Sequence, residues 1–391
     1  MIPVAEAQAA VLALAAPLSV ETVPLLRAAG RVLAADVVAA ADQPPFDAAA
    51  MDGYAVAAPA RPGARLRVIG TAQAGAAFAG RVAPGEAVRI FTGAPVPEGA
   101  VQVVIQEDTE AEADAITIGP RVEGARHIRP RGGDFPAGAR IAAGRRLRPV
   151  DLALAAAMRA GTVTVRRRPV VAILPTGDEL VMPGEAAGPH QIAASNVFAL
   201  AAMAEAEGAE ARLLPIARDD ADSLAHGLTL AAGSDLIVTV GGASVGTHDL
   251  VRPVADRMGM DRAFYRIAMR PGKPLQAGRL GGAAFLGLPG NPVSAIVCGM
   301  IFMAPLIRAM LGLPALPDPA QGVLARDLGA EGPRTHYMRA RLIPGAPPAL
   351  DPYPDQDSAR LRLLTEAEAL VIRPAHAPAA RAGDPVFFLP L

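Results

Sequence analysis

The sequence predicts a multidomain chain of α/β plus β class, and three changes of texture carry that expectation. From Pro169 to about 315, short β-branched runs alternate with helix-like segments, the pattern of a parallel sheet with crossover helices. Between 41 and 138, short strands are broken by many Gly and Pro turns, which argues for a small β-rich domain. Beyond Pro314 a strand-rich texture returns and suggests a small C-terminal β domain.

Taken in order, Val4 to Ala16 and Glu21 to Ala29 read as helices, the second closed by Gly30. Val32 to Ala40 fits either strand or helix, and Gln43-Pro44-Pro45-Phe46 marks a domain crossing. In the β-rich block the predicted strands are Arg65 to Gly70, Ala87 to Phe91, Val101 to Glu107 and Ala115 to Ile118. Two polar loops stand out there, one at 50–55 around Asp52 and one at 89–99 around Thr92. Asp52-Gly53 and Thr92-Gly93 are equally readable as plain turns. Arg148 to Ala160 is a helix stopped by Gly161, and Thr162 to Arg166 a strand.

The α/β block then follows with strands at Val170 to Leu174, Ala211 to Ile216, Leu236 to Val240 and Ala284 to Leu288. Helices fall at Asn196 to Glu207, capped by Ser195, and Ser223 to Ala232, capped by Asp220 or Asp222. The C-terminal strands are Val323 to Ala325, His336 to Ile343, Ala369 to Arg373 and Pro385 to Leu389. Texture accordingly sets off 41–138, 169–315 and 316–391, with 1–40 and 139–168 lying on either side of the first.

Composition narrows the function. The 391 residues suffice for a real core, and a net charge of −1 gives no electrostatic case for nucleic acid. The single cysteine, Cys298, sits in an apolar run and excludes an internal disulfide, which fits a reducing compartment. Six histidines without H-x-x-x-H or H-x-H spacing leave no zinc pattern. Met1-Ile2-Pro3 lacks a basic n-region, and Glu6 interrupts the apolar stretch, so no signal peptide is expected. Ala295 to Ile307 is apolar but short for a bilayer and contains Pro305. No membrane partner and a cytoplasmic location are the expectation.

The chemistry concentrates between Ser234 and Met310. A buried strand, Leu236 to Val240, runs into Gly241-Gly242 with Ser244, Gly246 and Asp249 following, at the strand end where open α/β sheets bind ligands. Two glycines let a ligand approach the backbone, so loop N–H groups can face an anion. Arg266, Arg270 and Lys273 surround a Pro271-Gly272 turn. Leu288-Pro289-Gly290-Asn291-Pro292 then opens a long apolar helix, with Asn291 as N-cap and Pro292 at N1. Glu179 and Asp219 also follow strands, and carboxylates beside phosphate-binding loops suit Mg²⁺-assisted chemistry. Each part has a plainer reading as turn, solvated surface or helix cap; Asp219 caps a helix equally well. Their conjunction points to a pocket for an anionic, phosphorylated small molecule.

Read together, these motifs resemble the molybdopterin molybdenumtransferases of the MoeA type. The resemblance is carried by Ala50-Met51-Asp52-Gly53-Tyr54-Ala55, Thr92-Gly93-Ala94-Pro95-Val96-Pro97 and Arg131-Gly132-Gly133-Asp134. It continues through Thr176-Gly177-Asp178-Glu179-Leu180, Gly241-Gly242-Ala243-Ser244-Val245-Gly246 with Asp249, Pro271-Gly272-Lys273-Pro274, and Leu288-Pro289-Gly290-Asn291-Pro292-Val293-Ser294. It implies a helical linker domain built from both sides of an inserted β-rich domain, a central α/β molybdopterin-binding-like domain, and a C-terminal β-barrel. It implies a homodimer whose pocket lies between the α/β domain of one copy and the β-rich domain of the other. The implied reaction takes molybdate and adenylylated molybdopterin, with Mg²⁺, and releases AMP and molybdenum cofactor.

Under that resemblance Asp249, Glu179 and Asp219 hold or orient Mg²⁺, and Asp52, Thr92 and Asp134 position the leaving group or water. Gly241, Gly242, Ser244 and Gly246 cradle the pterin phosphate; Arg266, Arg270 and Lys273 hold molybdate and phosphate. Pro289, Asn291, Pro292 and Ser294 complete the substrate-binding set. Molybdopterin adenylyltransferase and molybdoenzyme acceptors are the implied protein partners. The chain departs from the family pattern at Ala48-Ala49, where relatives carry Asn-Ser, at Arg266 and Arg270, where lysine is common, and at Glu368, where asparagine is usual. A molybdopterin adenylyltransferase on the same α/β fold and a non-enzymatic scaffold of the same family are the alternatives.

Overall fold

The computed structural model describes residues 1–122, 124–242, 250–316 and 318–391. These form two compact units, one of 1–21, 30–32 and 166–391, the other of 22–29 and 33–165.

The larger unit holds the α/β domain. Its six strands are β1 Val170–Pro175, β2 Glu210–Leu213, β3 Leu236–Val240, β4 Asp261–Tyr265, β5 Gln276–Leu280 and β6 Ala283–Leu288, in sheet order β2-β1-β3-β6-β5-β4. The first four in that order are parallel, while β6-β5-β4 are antiparallel. β1, β3 and β6 are apolar almost throughout because both faces are covered. One face packs on Val4–Leu12, α1 (Asn196–Ala206) and the run from Pro292 to Met310; the other packs on α2 (Ala221–Leu230) and α3 (Val251–Arg257). Asp220, not Asp222, caps α2, accepting from the Ser223 N–H at 2.7 Å.

The run after Asn291 is longer than its apolar core suggested. Pro292–Cys298 passes through a π turn at Gly299–Met303 into Ala304–Met310, absorbing Pro305 without ending. Its 19 residues are long and apolar enough to cross a bilayer, yet 83% of its apolar window is buried inside the protein. Cys298 is fully buried within it.

The C-terminal part of this unit is a closed five-strand barrel of Ala320–Leu324, Thr335–Ile343, Ala349–Pro352, Ala369–Arg373 and Pro385–Pro390. Thr335–Ile343 pairs with both Ala349–Pro352 and Ala369–Arg373, which closes the ring around Leu324, Ala340, Leu350, Val371 and Phe388. Met269–Arg270 joins as an added parallel strand, Met269 opposite Thr335 and Arg270 opposite His336.

The smaller unit contains a six-stranded sheet in the order Gln102–Ile105, Gly53–Val56, Glu86–Ile90, Arg65–Ala72, Ala115–Ile118 and Thr109–Ala111. Gly53–Val56 is a fully buried inner strand, where the sequence suggested a loop. A Cβ on Gly53 would lie 1.9 Å from the Val104 carbonyl oxygen, so glycine opens this strand because the neighbouring backbone passes too close for any side chain. The helix expected over 21–29 does not form. Val20–Pro24 is extended and Leu25–Arg27 is a single 3₁₀ turn, as the β-branched Val20, Thr22 and Val23 followed by Pro24 dictate. Pro149–Ala157 is helical as expected, but the left-handed residue that ends it is Arg159 (φ 68°) rather than Gly161.

Candidate functional site

Three parallel strands end in register, and the site grows from that alignment. Pro175 is paired with Val240, and Val240 with Leu288, so Thr176, Gly241 and Pro289 emerge side by side. The Thr176 N–H donates to Val240 O (3.0 Å) and the Gly241 N–H to Leu288 O (3.1 Å), carrying the ladder one step past the strands. The connection from β1 leads outward to β2 and returns past β1 to β3, making this a topological switch point. Gly241 and Gly242 have φ of 103° and 60°. A Cβ would approach Thr176 O to 2.5 Å at the first and Val251 Cγ2 to 2.6 Å at the second, so only glycine closes the turn.

These loops line a cavity of about 590 Å³ whose wall includes Glu179, Asp219, Gly241, Gly242, Pro289, Asn291 and Pro292. Its floor is rigid. Asp178 and Asp219 exchange bonds, each backbone N–H donating to the other's carboxylate at 3.3 and 3.1 Å. Arg218 Nη1 braces the same loops through Asp178 O and Leu180 O. Asn196 Nδ2 donates to Gly290 O at 2.7 Å and fixes the turn before the Pro292 helix.

A second cavity, about 810 Å³, adjoins the first, with Pro274 lining both. Arg270, Lys273 and Ser294 form one side, and Arg334, His336, Gln356 and Ser358 of the barrel region form the other. The 354–359 loop divides the two. Ser358 O accepts from the Val293 N–H and Ser358 Oγ from Asn291 Nδ2, each at 3.0 Å, so Asn291 tethers this loop instead of capping its own helix by a side-chain bond. Arg339, 1% exposed, holds the loop from below, donating to Asp355 O (3.3 Å) and Arg360 O (3.1 Å). Gly272 (φ 115°) lies directly over Cys298, where a Cβ would meet Sγ at 2.5 Å. Burial pushes that thiol far up, so it packs as an inert apolar group.

Sequence reasoning did not single out Arg334, His336, Arg339, Gln356 or Ser358, which lie in a stretch read only as strand texture. One signal for this cavity was available in the composition. Lys273 is the only lysine in the chain; the rest of the 37 lysines and arginines are arginine. Arg266 lines neither cavity. Its backbone is left-handed (φ 73°) and its guanidinium lies over the Tyr265 ring at 4.9 Å. Ser244, Gly246 and Asp249 lie outside the described residues.

In the smaller unit Asp52 and Thr92 form one device. Asp52 Oδ1 accepts from both the Thr92 N–H and the Thr92 Oγ1, each at 2.7 Å. Those bonds, with Arg89 nearby, hold the carboxyl below the usual aspartate range, so it stays ionised as pH falls past the point where a free aspartate protonates. Asp134 is exposed on the adjoining loop, its N–H donating to Gln43 O at 2.9 Å. The departures from the family pattern also find places: Ala48 and Ala49 are buried, and Glu368 accepts from the Leu342 N–H at 3.0 Å.

Among the described residues no cluster of three or more His, Cys, Asp or Glu side chains stands ready for a metal. The donor chemistry nonetheless suits Mg²⁺, which takes hard oxygen ligands from one or two carboxylates and completes its shell with water and phosphate. Glu179 and Asp219 on one wall supply such oxygens.

Comparison with known proteins covers nearly the whole chain. The family model for the MoeA N-terminal region (domain I and II) matches residues 2–158, that for a probable molybdopterin binding domain 172–309, and that for the MoeA C-terminal region (domain IV) 321–391. The chain is 37% identical over 376 residues to molybdopterin molybdenumtransferase 2 of Mycobacterium tuberculosis, covering 93% of each. It is 34% identical over 386 residues to molybdopterin molybdenumtransferase of Nostoc, covering 95% of this chain and 88% of that one. The solved molybdopterin biosynthesis MoeA protein of Pyrococcus horikosii superposes with a TM-score of 0.84 at 30% identity, over 100% of this chain and 99% of that one. With a switch-point cavity bearing carboxylates, a cavity lined in part by Arg270, Lys273 and Arg334 beside it and a terminal barrel in the matched order, the chain belongs to the MoeA family of molybdopterin molybdenumtransferases.

Proposed function

We propose that this chain inserts molybdenum from molybdate into adenylylated molybdopterin, with release of AMP, as a cytoplasmic homodimer. The observation that carries the reading is the pair of adjoining cavities, one at the strand ends with Glu179 and Asp219, the other bringing Arg270, Lys273 and Arg334 to one space beside the carboxylates Glu331, Asp355 and Asp357. A substrate with a phosphate-bearing body and a second, inorganic anion calls for two such compartments sharing a wall.

In this reading the Gly241–Gly246 loop and the turn of Pro289, Asn291 and Pro292 receive the pterin and its phosphates through backbone N–H groups. Arg270, Lys273 and Ser294 hold molybdate, with Arg334 opposite. Glu179, Asp219 and Asp249 would hold Mg²⁺, which would supply positive charge to the phosphate oxygens. Asp52, kept ionised by Thr92, orients water or the leaving group together with Asp134; these come from the partner copy. Cleavage breaks the phosphoanhydride bond, water supplying the new oxygen and AMP carrying away the bond's electron pair.

The test is direct. Purified protein with Mg²⁺, molybdate and adenylylated molybdopterin is expected to release AMP and yield cofactor able to activate an apo-molybdoenzyme. AMP release no greater than in a protein-free control would overturn the reading.

A further inference from the structure

The wall of the second cavity contains a titratable pair that the proposed reaction leaves unused. His336 is 4% exposed, and its Nδ1 lies 3.2 Å from Glu331 Oε1. Charged groups meet it from every side. Glu331 and Arg334 come from the preceding loop, Arg270 from the parallel strand in direct register, and Arg373 from the antiparallel one. Lys273, Asp355 and Asp357 line the same cavity. Burial holds the imidazole below the ordinary histidine range; Glu331 opposes this, and Arg270 and Arg334 add to it. The ring is therefore neutral in the free cavity at neutral pH.

We infer that His336, with Glu331, determines the charge specificity of this cavity, taking up a proton as a doubly charged tetrahedral oxyanion enters and so favouring dianions over monoanions of the same shape. The inference rests on the oxyanion reading given above. A dianion among Arg270, Lys273 and Arg334 offsets the field of Arg270 and Arg334, which disfavours the imidazolium, and adds negative charge beside the ring. A monoanion leaves more of that field standing. The bound complex then holds more protons than the free protein, so dianion affinity rises as pH falls between the free and bound pKa values of the ring. One coupled proton limits the slope to about tenfold per pH unit.

Calorimetric titration of the full-length protein with sodium molybdate, in two buffers of different ionisation enthalpy, reads this uptake directly. Sodium perchlorate serves as the tetrahedral monoanion. The expected result is a buffer-dependent heat with molybdate, reporting uptake of a fraction of a proton, and several-fold tighter binding at pH 6 than at pH 8. Perchlorate binding is expected to be weaker and flat across the same range. His336→Asn and Glu331→Gln are each expected to bind molybdate with buffer-independent heat while circular dichroism confirms the fold. Glu331→Gln keeps the imidazole and removes only its carboxylate, so it carries the test if His336→Asn does not fold. Molybdate binding with buffer-independent heat in the wild-type protein, or uptake surviving in either folded variant, would overturn this inference and leave the oxyanion reading standing. No heat with molybdate under any condition would remove both.

Discussion

Lys273 shows how much one side chain can decide. Every other Lys-or-Arg position in the chain is arginine, so this protein carries basic charge as guanidinium wherever a guanidinium serves. At Lys273, on the turn lining the second cavity, a compact ammonium stands instead. A planar fork spreads its charge over a wider group and needs acceptors in its own plane, whereas an ammonium turns three donors toward a small tetrahedral anion. Lys273→Arg keeps the charge, so a purely electrostatic role predicts little change. The geometric role predicts that KM for molybdate in the AMP-release assay rises on the order of tenfold with the melting temperature unchanged. Retention of wild-type KM would show that charge alone is used there.

The helix Pro149–Ala157 makes the corresponding case at the level of an element. It ends in a Schellman pattern, Ala160 N–H to Ala155 O at 3.0 Å and Arg159 N–H to Ala156 O at 2.9 Å. The left-handed position falls on Arg159, two residues before the glycine that the sequence nominated. Arg159→Gly is therefore expected to stabilise the protein by ~1 kcal/mol in denaturant unfolding. Gly53→Ala, whose new Cβ would run into the Val104 carbonyl, is expected to destabilise it by ~2 kcal/mol or more. A neutral result for both would mean that the backbone relaxes freely at these points. The same two sites explain which elements were legible in the sequence. Runs such as Leu236–Val240 declare themselves because local chemistry is enough to specify them, whereas the choice of Asp220 over Asp222 as cap is made only by the folded backbone. Gly53–Val56 does not, since a strand buried on both faces and opened by glycine has no alternation to read. β5 is hidden for a related reason. Gln276 is fully buried there, in space left by Gly287 opposite, where a Cβ would meet Gln276 Cγ at 2.7 Å. The loops of the first cavity were legible because ligand-facing turns need glycine, proline and carboxylates. The barrel's share of the second was not, because Arg334, His336 and Ser358 acquire their place only when the ring closes.

For the whole molecule, the question is where a complete site resides. The larger unit joins its two cavities through one helix, one loop and the Arg270–His336 register, so its α/β domain and barrel act as a single body. Asp52 and Thr92 belong to the other unit, and under the proposed dimer they serve the partner's cavity. That arrangement has a quantitative consequence. Asp52→Ala and Glu179→Ala are each expected to be inactive as pure proteins, since every site lacks one of the two carboxylates. Unfolding the two together and refolding them at equal amounts gives heterodimers as about half of all dimers. In each heterodimer one site lacks both carboxylates and the other keeps both, so about one quarter of the wild-type AMP release is expected to return. Sites completed within a single chain would give no recovery at any mixing ratio, because no copy carries both residues. Size-exclusion chromatography of the refolded mixture separates that outcome from a failure to form dimers.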